Sequence, residues 1–168
     1  RLPWLIISLL GGLLSGSVIG YFESTLKTIV LLAVFIPAIM DMGGNVGTQS
    51  STVFVRGLAT GELKEERVWH YFLKEIRVGL TMGVVCGLLI AFAAVIWKGI
   101  PILGLAVGIA MFTTVTLAAI IGTLVPLLFS RLGIDPAIAA GPFVTTIKDI
   151  TGLLIYFWVA TLFLPYLS

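Results

Sequence analysis

Long apolar segments dominate the chain and are separated by short polar stretches. A helix needs about 20 mostly apolar residues to cross the hydrocarbon core of a bilayer. Five segments meet this requirement, covering approximately residues 2–22, 26–55, 78–97, 102–129 and 136–164. Transmembrane β-strands would instead alternate apolar and polar residues over about ten positions. The pattern therefore predicts an all-α integral membrane protein with five transmembrane helices, forming one domain over residues 1–168.

The second predicted span is interrupted by Pro37 and by the run Gly43-Gly44-Asn45. A proline inside a helix frees a carbonyl about one turn earlier, here near Ala33. Irregular backbone at membrane depth is tolerated only where it is buried in protein or lines a water-filled cavity. The interruptions thus predict either a kinked packing helix or part of an aqueous pathway.

Charged residues are concentrated on one side of the predicted spans. The linker 61–77 carries acidic and basic residues at helical spacing, together with Trp69, Tyr71, Phe72 and the lone His70, and it predicts an interfacial helix. The basic residues on the side of the N-terminus are Arg1, Arg56, Lys64, Arg67, Lys74, Arg77 and Arg131, whereas the opposite side has Lys27 and Lys98. By the positive-inside rule, we expect the N-terminus and the linker in the cytoplasm and the C-terminus outside.

Composition supports a membrane protein rather than a soluble or nucleic-acid-binding one. Hydrophobic residues make up 59% of the chain and charged residues 11%, whereas soluble domains carry about 25% charged residues. The formal net charge of +2 arises from few groups and does not indicate nucleic-acid binding. The single cysteine, Cys86, is interpreted as a small packing residue.

Three charged residues lie well inside predicted spans, away from the span ends: Asp41, Lys148 and Asp149. A charge at a helix centre costs about 2.5–3.5 kcal/mol, so such residues usually face a cavity or one another. Asp149 is expected about 20 Å along the fifth span, near the bilayer midplane. Before it come the hydroxyls of Thr145 and Thr146, and Gly141-Pro142, whose proline frees a backbone carbonyl.

Oxygen ligands of this kind suit a hard cation, and one carboxylate with few neighbours suits Mg²⁺, which releases its water reluctantly. We therefore predict Asp149 as the metal-site residue. The expected pore-lining residues are Asn45, Gly43, Gly44, Gln49, Thr145, Thr146 and Gly141. Asp41 and Lys148 are expected to form a compensating ion pair, or Asp41 to serve as a second ion ligand; a purely structural ion pair is the alternative for any of the three charged residues.

Glycines at four-residue spacing predict close helix contacts. They are Gly12, Gly16 and Gly20 in the first span, Gly79, Gly83 and Gly87 in the third, and Gly104 and Gly108 in the fourth. Packing within one bundle and a subunit interface both remain open for these faces.

At these residues the chain resembles the MgtE family of Mg²⁺ channels and transporters. The matching motifs are Pro37 with Gly43-Gly44-Asn45-x-Gly47-x-Gln49, and Gly141-Pro142-x-x-Thr145-Thr146-x-x-Asp149-x-x-Gly152 ending in Tyr156-Phe157. The resemblance implies a homodimer in a bacterial inner or plasma membrane, whose second and fifth spans line one pore where Asp149 holds largely hydrated Mg²⁺. It also implies a regulatory cytoplasmic domain that is not part of this sequence. The chain would then be an excised membrane domain or a natural short form. Asp41 and Lys148 depart from the family pattern.

Other functions compete with this one. Two intramembrane aspartates can form a protease dyad, but neither Asp41 nor Asp149 lies in a Gly-x-Gly-Asp context, so we expect no enzyme. A transporter for another ion or small solute and a non-conducting structural subunit are the alternatives. The residues also leave open channel-like or coupled transport, and selectivity among Mg²⁺, Mn²⁺, Co²⁺ and Ca²⁺.

Overall fold

Six α-helices make up most of the part of the chain that the structure describes. The computed structural model describes residues 2–28, 30–63 and 65–167. Within that part the helices are α1 (Leu2–Tyr21), α2 (Glu23–Thr28), α3 (Ile36–Ala59), α4 (Glu65–Lys98), α5 (Pro101–Arg131) and α6 (Pro136–Leu167), with a 3₁₀ segment at Val30–Phe35 before α3. Arg1 and Lys64, which contribute to the charge distribution, and Ser168 at the C-terminus lie outside the described residues.

Five helical stretches among the described residues are long and apolar enough to cross a membrane. They are Leu2–Tyr21, Val30–Ala59, Val68–Lys98, Pro101–Arg131 and Ala140–Tyr166. The predicted all-α, five-span membrane protein is confirmed. The largest difference is in the third span, because α4 starts within the expected interfacial linker and continues without a break to Lys98.

The second span is more regular than its sequence suggests. Pro37 lies in the first turn of α3, where a missing N–H leaves no helical hydrogen bond unmade. The helix then continues through Gly43, Gly44 and Asn45 to Ala59. The prediction that the helix is interrupted inside this span is therefore wrong. The irregular backbone is instead the 3₁₀ segment Val30–Phe35, which precedes α3.

Tyr156 of α6 holds this 3₁₀ segment against the bundle. Its buried hydroxyl donates a hydrogen bond to the backbone carbonyl of Leu32. Leu32, Tyr156 and Phe157 are all at most 2% exposed and belong to the main apolar core. The irregular segment is thus anchored by a side chain from the opposite end of the sequence.

Glycines bring α4 and α5 into close contact. A Cβ atom at Gly83 would lie 2.8 Å from the carbonyl oxygen of Phe112, and one at Gly87 would lie 2.8 Å from that of Gly108. On α5, a Cβ at Gly104 would lie 2.7 Å from the carbonyl oxygen of Ala91. Because only hydrogen fits at these positions, the glycine faces of the third and fourth spans are used for packing within the chain.

Helix α1 is different, since it packs mainly on α6 and exposes most of its surface. Gly11 contacts α6, where any Cβ would overlap the side chain of Thr146. The predicted glycine face is on another side: Cβ atoms at Gly12, Gly16 and Gly20 would meet nothing within 4 Å. In one chain this face is open to lipid or to another protein surface.

Candidate cation pathway between helices α3 and α6

Polar residues form an exposed stripe along α3. Asp41, Asn45, Thr48, Thr52 and Arg56 follow one another at steps of three or four residues, and all five are exposed. Such spacing places side chains on one face of a helix. Residues of the opposite face, including Ile39, Val46 and Phe54, are buried.

A second stripe of polar and small residues lies on α6, on the same side of the bundle as the α3 stripe. Gly141, Thr145 and Asp149 are one turn apart, and the Thr145 hydroxyl donates a hydrogen bond of 2.9 Å to the carbonyl of Gly141. Gly141 and Thr145 are exposed, and the side chain of Asp149 is 26% exposed. The helix geometry therefore brings a carboxylate and a hydroxyl to one face, as the sequence predicts.

The two stripes lie side by side because α3 and α6 pack against each other in antiparallel directions. The Met40 carbonyl contacts Lys148, and a Cβ at Gly47 would lie 3.4 Å from the side chain of Val144. This register places Asp41 level with Asp149 and Asn45 level with Thr145. Towards the end of α3, a cavity of about 440 Å³ is lined by Thr48, Thr52 and Arg56 from α3, and by Pro136, Ala140 and Gly141 from α6. We call the space between these stripes the α3–α6 groove.

Lys148 forms an ion pair with Asp149 at the inner wall of the groove. Its ammonium contacts Asp149 Oδ1 and donates a hydrogen bond of 2.8 Å to the carbonyl of Met40. Asp41 instead accepts a hydrogen bond from the Asn45 amide at 3.2 Å. The expected Asp41–Lys148 pair is therefore replaced by Lys148–Asp149. The reason is rotational: Met40 faces Lys148, and Asp41 points about 100° away from Met40 around α3.

Comparison with known proteins identifies the family of this chain. The sequence model of the MgtE family, described as a divalent cation transporter, matches residues 36–159. That range includes α3, α4, α5 and most of α6. The chain belongs to the MgtE family.

Curated MgtE proteins match nearly the whole chain. The magnesium transporter MgtE of Bacillus subtilis is 45% identical over 164 residues, which are 98% of this chain and 36% of that protein. MgtE of Thermus thermophilus is 42% identical over 98% of this chain and 36% of its own length. MgtE of Enterococcus faecalis is 43% identical over 99% of this chain and 37% of its own length. The chain thus belongs to a family of multi-pass membrane transporters and spans little more than a third of these relatives.

Three residues expected to line an MgtE pore point away from the groove in the single chain, and a fourth, Gly44, lies at its inner wall. Gly43 is buried, and a Cβ there would lie 3.2 Å from the Thr114 side chain of α5. Gly44 lies against the Lys148 ammonium, and Thr146 lies against Gly11 of α1. Gln49 lines a separate cavity of about 240 Å³ towards α4. Helix rotation decides these positions, since neighbouring residues point about 100° apart.

Sequence reasoning missed a buried polar contact between α3 and α4. The Ser50 hydroxyl donates a hydrogen bond of 2.5 Å to Oε1 of Glu75, and these residues are 5% and 8% exposed. Both line the same 240 Å³ cavity as Gln49. The sequence does hold a signal, because Glu75 continues the four-residue spacing of Gly79, Gly83 and Gly87 towards the N-terminus of α4. A glutamate on a glycine packing face is expected to be buried.

Cation ligands in one chain are sparse. Across residues 2–28, 30–63 and 65–167, no group of three or more histidine, cysteine, aspartate or glutamate side chains could hold a metal ion. An ion in the α3–α6 groove would meet at most the carboxylates of Asp149 and Asp41, with the Thr145 hydroxyl and the Asn45 amide nearby. Such a set leaves most of the coordination shell to water.

Proposed function

We propose that this chain conducts Mg²⁺ across the membrane through the α3–α6 groove. The observation that carries the proposal is a polar surface, including Asp149 and Asp41, on helices that otherwise have the composition of membrane spans. Charged side chains within membrane spans almost always face the bundle interior or a water-filled cavity. The groove therefore needs water and a protein cover, which are the components of a pore.

Mg²⁺ is the proposed cargo on two grounds. Three MgtE relatives are named magnesium transporters. The groove also offers few charged ligands, and Mg²⁺ usually keeps several waters while binding one or two carboxylates. Asp149 is the proposed principal site for the hydrated ion, with Thr145, Gly141 and Asn45 on the lining surface.

A second copy of the chain is the proposed cover. A two-fold axis along the groove would place two α3 and two α6 helices around one pore and bring two Asp149 carboxylates towards one ion. Two close carboxylates repel when no cation lies between them. The homodimer is tested by mass measurement in nanodiscs, where a transport-active monomer would contradict it.

The proposed orientation has the N-terminus in the cytoplasm. Among the described basic residues, Arg56 and Arg131 lie in the last turns of α3 and α5, so the wide cavity next to Arg56 would open to the cytoplasm. Accessibility of a cysteine introduced at Glu62, in the turn between α3 and α4, tests this. If the cysteine is labelled only from the outside, the orientation is the reverse of the proposed one.

The decisive experiment is Mg²⁺ flux into liposomes containing the Asp149→Asn variant. The substitution keeps the shape of the side chain and removes its charge, so we expect flux to fall at least about 100-fold, equivalent to about 2.7 kcal/mol. Asp135→Asn is the matched control, because Asp135 is exposed just before α6, accepts a hydrogen bond of 2.9 Å from the Ala137 amide and does not line the 440 Å³ cavity. Wild-type flux through folded Asp149→Asn protein would place the ion site elsewhere.

A further inference from the structure

A lysine is buried beside the proposed ion site. Lys148 is 6% exposed, and its ammonium contacts Asp149 Oδ1. An ammonium that is taken out of water must be compensated by good geometry, because its desolvation costs several kcal/mol. Lys148 is therefore expected to have a function beyond filling space.

Helix α3 provides the space for this ammonium. Gly44 has no side chain, and a Cβ there would lie 3.0 Å from Nζ and 3.6 Å from Cε of Lys148. The ammonium lies against the α3 backbone and reaches the Met40 carbonyl. A larger residue at position 44 would push the ammonium out of its position.

Neither partner of Lys148 needs it for hydrogen bonding. Met40 lies inside the continuous helix α3, where its carbonyl accepts a bond from the amide four residues later, that of Gly44. Asp149 is partly exposed towards the groove, where water can hydrate it. A purely structural role would therefore place an ammonium at a position where an apolar side chain of the same length would also fit.

We propose that the Lys148 ammonium is a built-in counter-ion that competes with the permeating divalent cation for the Asp149 carboxylate. The inference rests on the proposed function of Asp149. When no ion is bound, the ammonium neutralises the carboxylate. When a hydrated divalent cation arrives, it either shares the Asp149 carboxylate with the ammonium or displaces the ammonium. The divalent cation is therefore held more weakly than it would be by Asp149 alone. Conduction requires a site that binds well enough to admit an ion and weakly enough to release it.

The test compares two neutral variants with one that keeps the charge. Lys148→Met and Lys148→Gln remove the ammonium, whereas Lys148→Arg retains a cation. Flux into liposomes is measured at one fixed pH over a range of Mg²⁺ concentrations, and thermal unfolding is followed with and without Mg²⁺. We expect both neutral variants to lower the half-saturating Mg²⁺ concentration about tenfold, or about 1.4 kcal/mol, and to enlarge the stabilisation by Mg²⁺. Lys148→Arg should remain within about twofold of the unmodified protein, which is below about 0.5 kcal/mol.

Each outcome decides for or against the counter-ion. Folded neutral variants with an unchanged or higher half-saturating concentration would overturn the inference, and so would neutral variants that fail to fold while Lys148→Arg folds. If Asp149→Asn loses flux while Lys148→Met keeps the half-saturating Mg²⁺ concentration of the unmodified protein, the counter-ion is refuted and the proposed function stays intact. Wild-type Mg²⁺ response in Asp149→Asn would refute the ion site itself, and the counter-ion with it.

Discussion

The α4–α5 interface and the α3–α6 groove both contain glycines, yet they use them in opposite ways. Gly83 and Gly87 bring two backbones together and leave no room for a side chain. In the groove, Gly44 makes room for an ammonium, and Gly141 lines an open cavity. Glycine spacing alone therefore predicts close approach, but the partner can be a backbone, a charged group or water.

Substituting glycine on the packed side should produce the largest change in stability. In Gly87→Leu, a new Cβ would lie 2.8 Å from the Gly108 carbonyl, so we expect α4 and α5 to separate at a cost of about 3 kcal/mol. Gly12→Leu is the matched control, since a Cβ there meets nothing within 4 Å, and it should stay within about 0.5 kcal/mol. Thermal unfolding in detergent measures both. Equal midpoints would show that the two glycine faces do not differ.

On the groove side, the two amide side chains of α3 lie on different surfaces and can be compared directly. Asn45 lies level with Thr145, whereas Gln49 lines the cavity towards α4. We expect Asn45→Ala to lower Mg²⁺ flux up to about tenfold, because a lost polar contact is worth about 1 kcal/mol. Gln49→Ala should change flux by less than about twofold. A stronger effect from Gln49 would mean that α3 is rotated in the conducting protein.

The two adjacent threonines of α6 offer a finer test. The exposed Thr145 hydroxyl faces the groove, and Thr146 contacts Gly11 of α1. Thr145→Val keeps the shape and removes one oxygen, so flux should fall about threefold, a fraction of a hydrogen bond's net contribution. Thr146→Val should leave flux unchanged. Equal effects of the two substitutions on flux would contradict the assignment of faces.

Some of this could be predicted from the sequence because it depends on local properties. Whether a segment of about 20 residues is apolar enough for the bilayer does not depend on its neighbours, and the five predicted spans are confirmed. The four-residue spacing of Gly141, Thr145 and Asp149 likewise determines that they share one face once a helix forms. Family membership also follows from the sequence itself.

Only the tertiary structure decided how each helix is rotated and which groups meet across it. Asp41 and Asp149 are equivalent candidates for Lys148 by charge and depth, and the ammonium contacts Asp149 because Met40 and Gly44 face it on α3. Ser50 and Glu75 meet because α4 starts early enough to bring Glu75 into the bundle. Hydropathy shows which segments enter the membrane, but it carries little information about rotation, because apolar residues surround most of each helix.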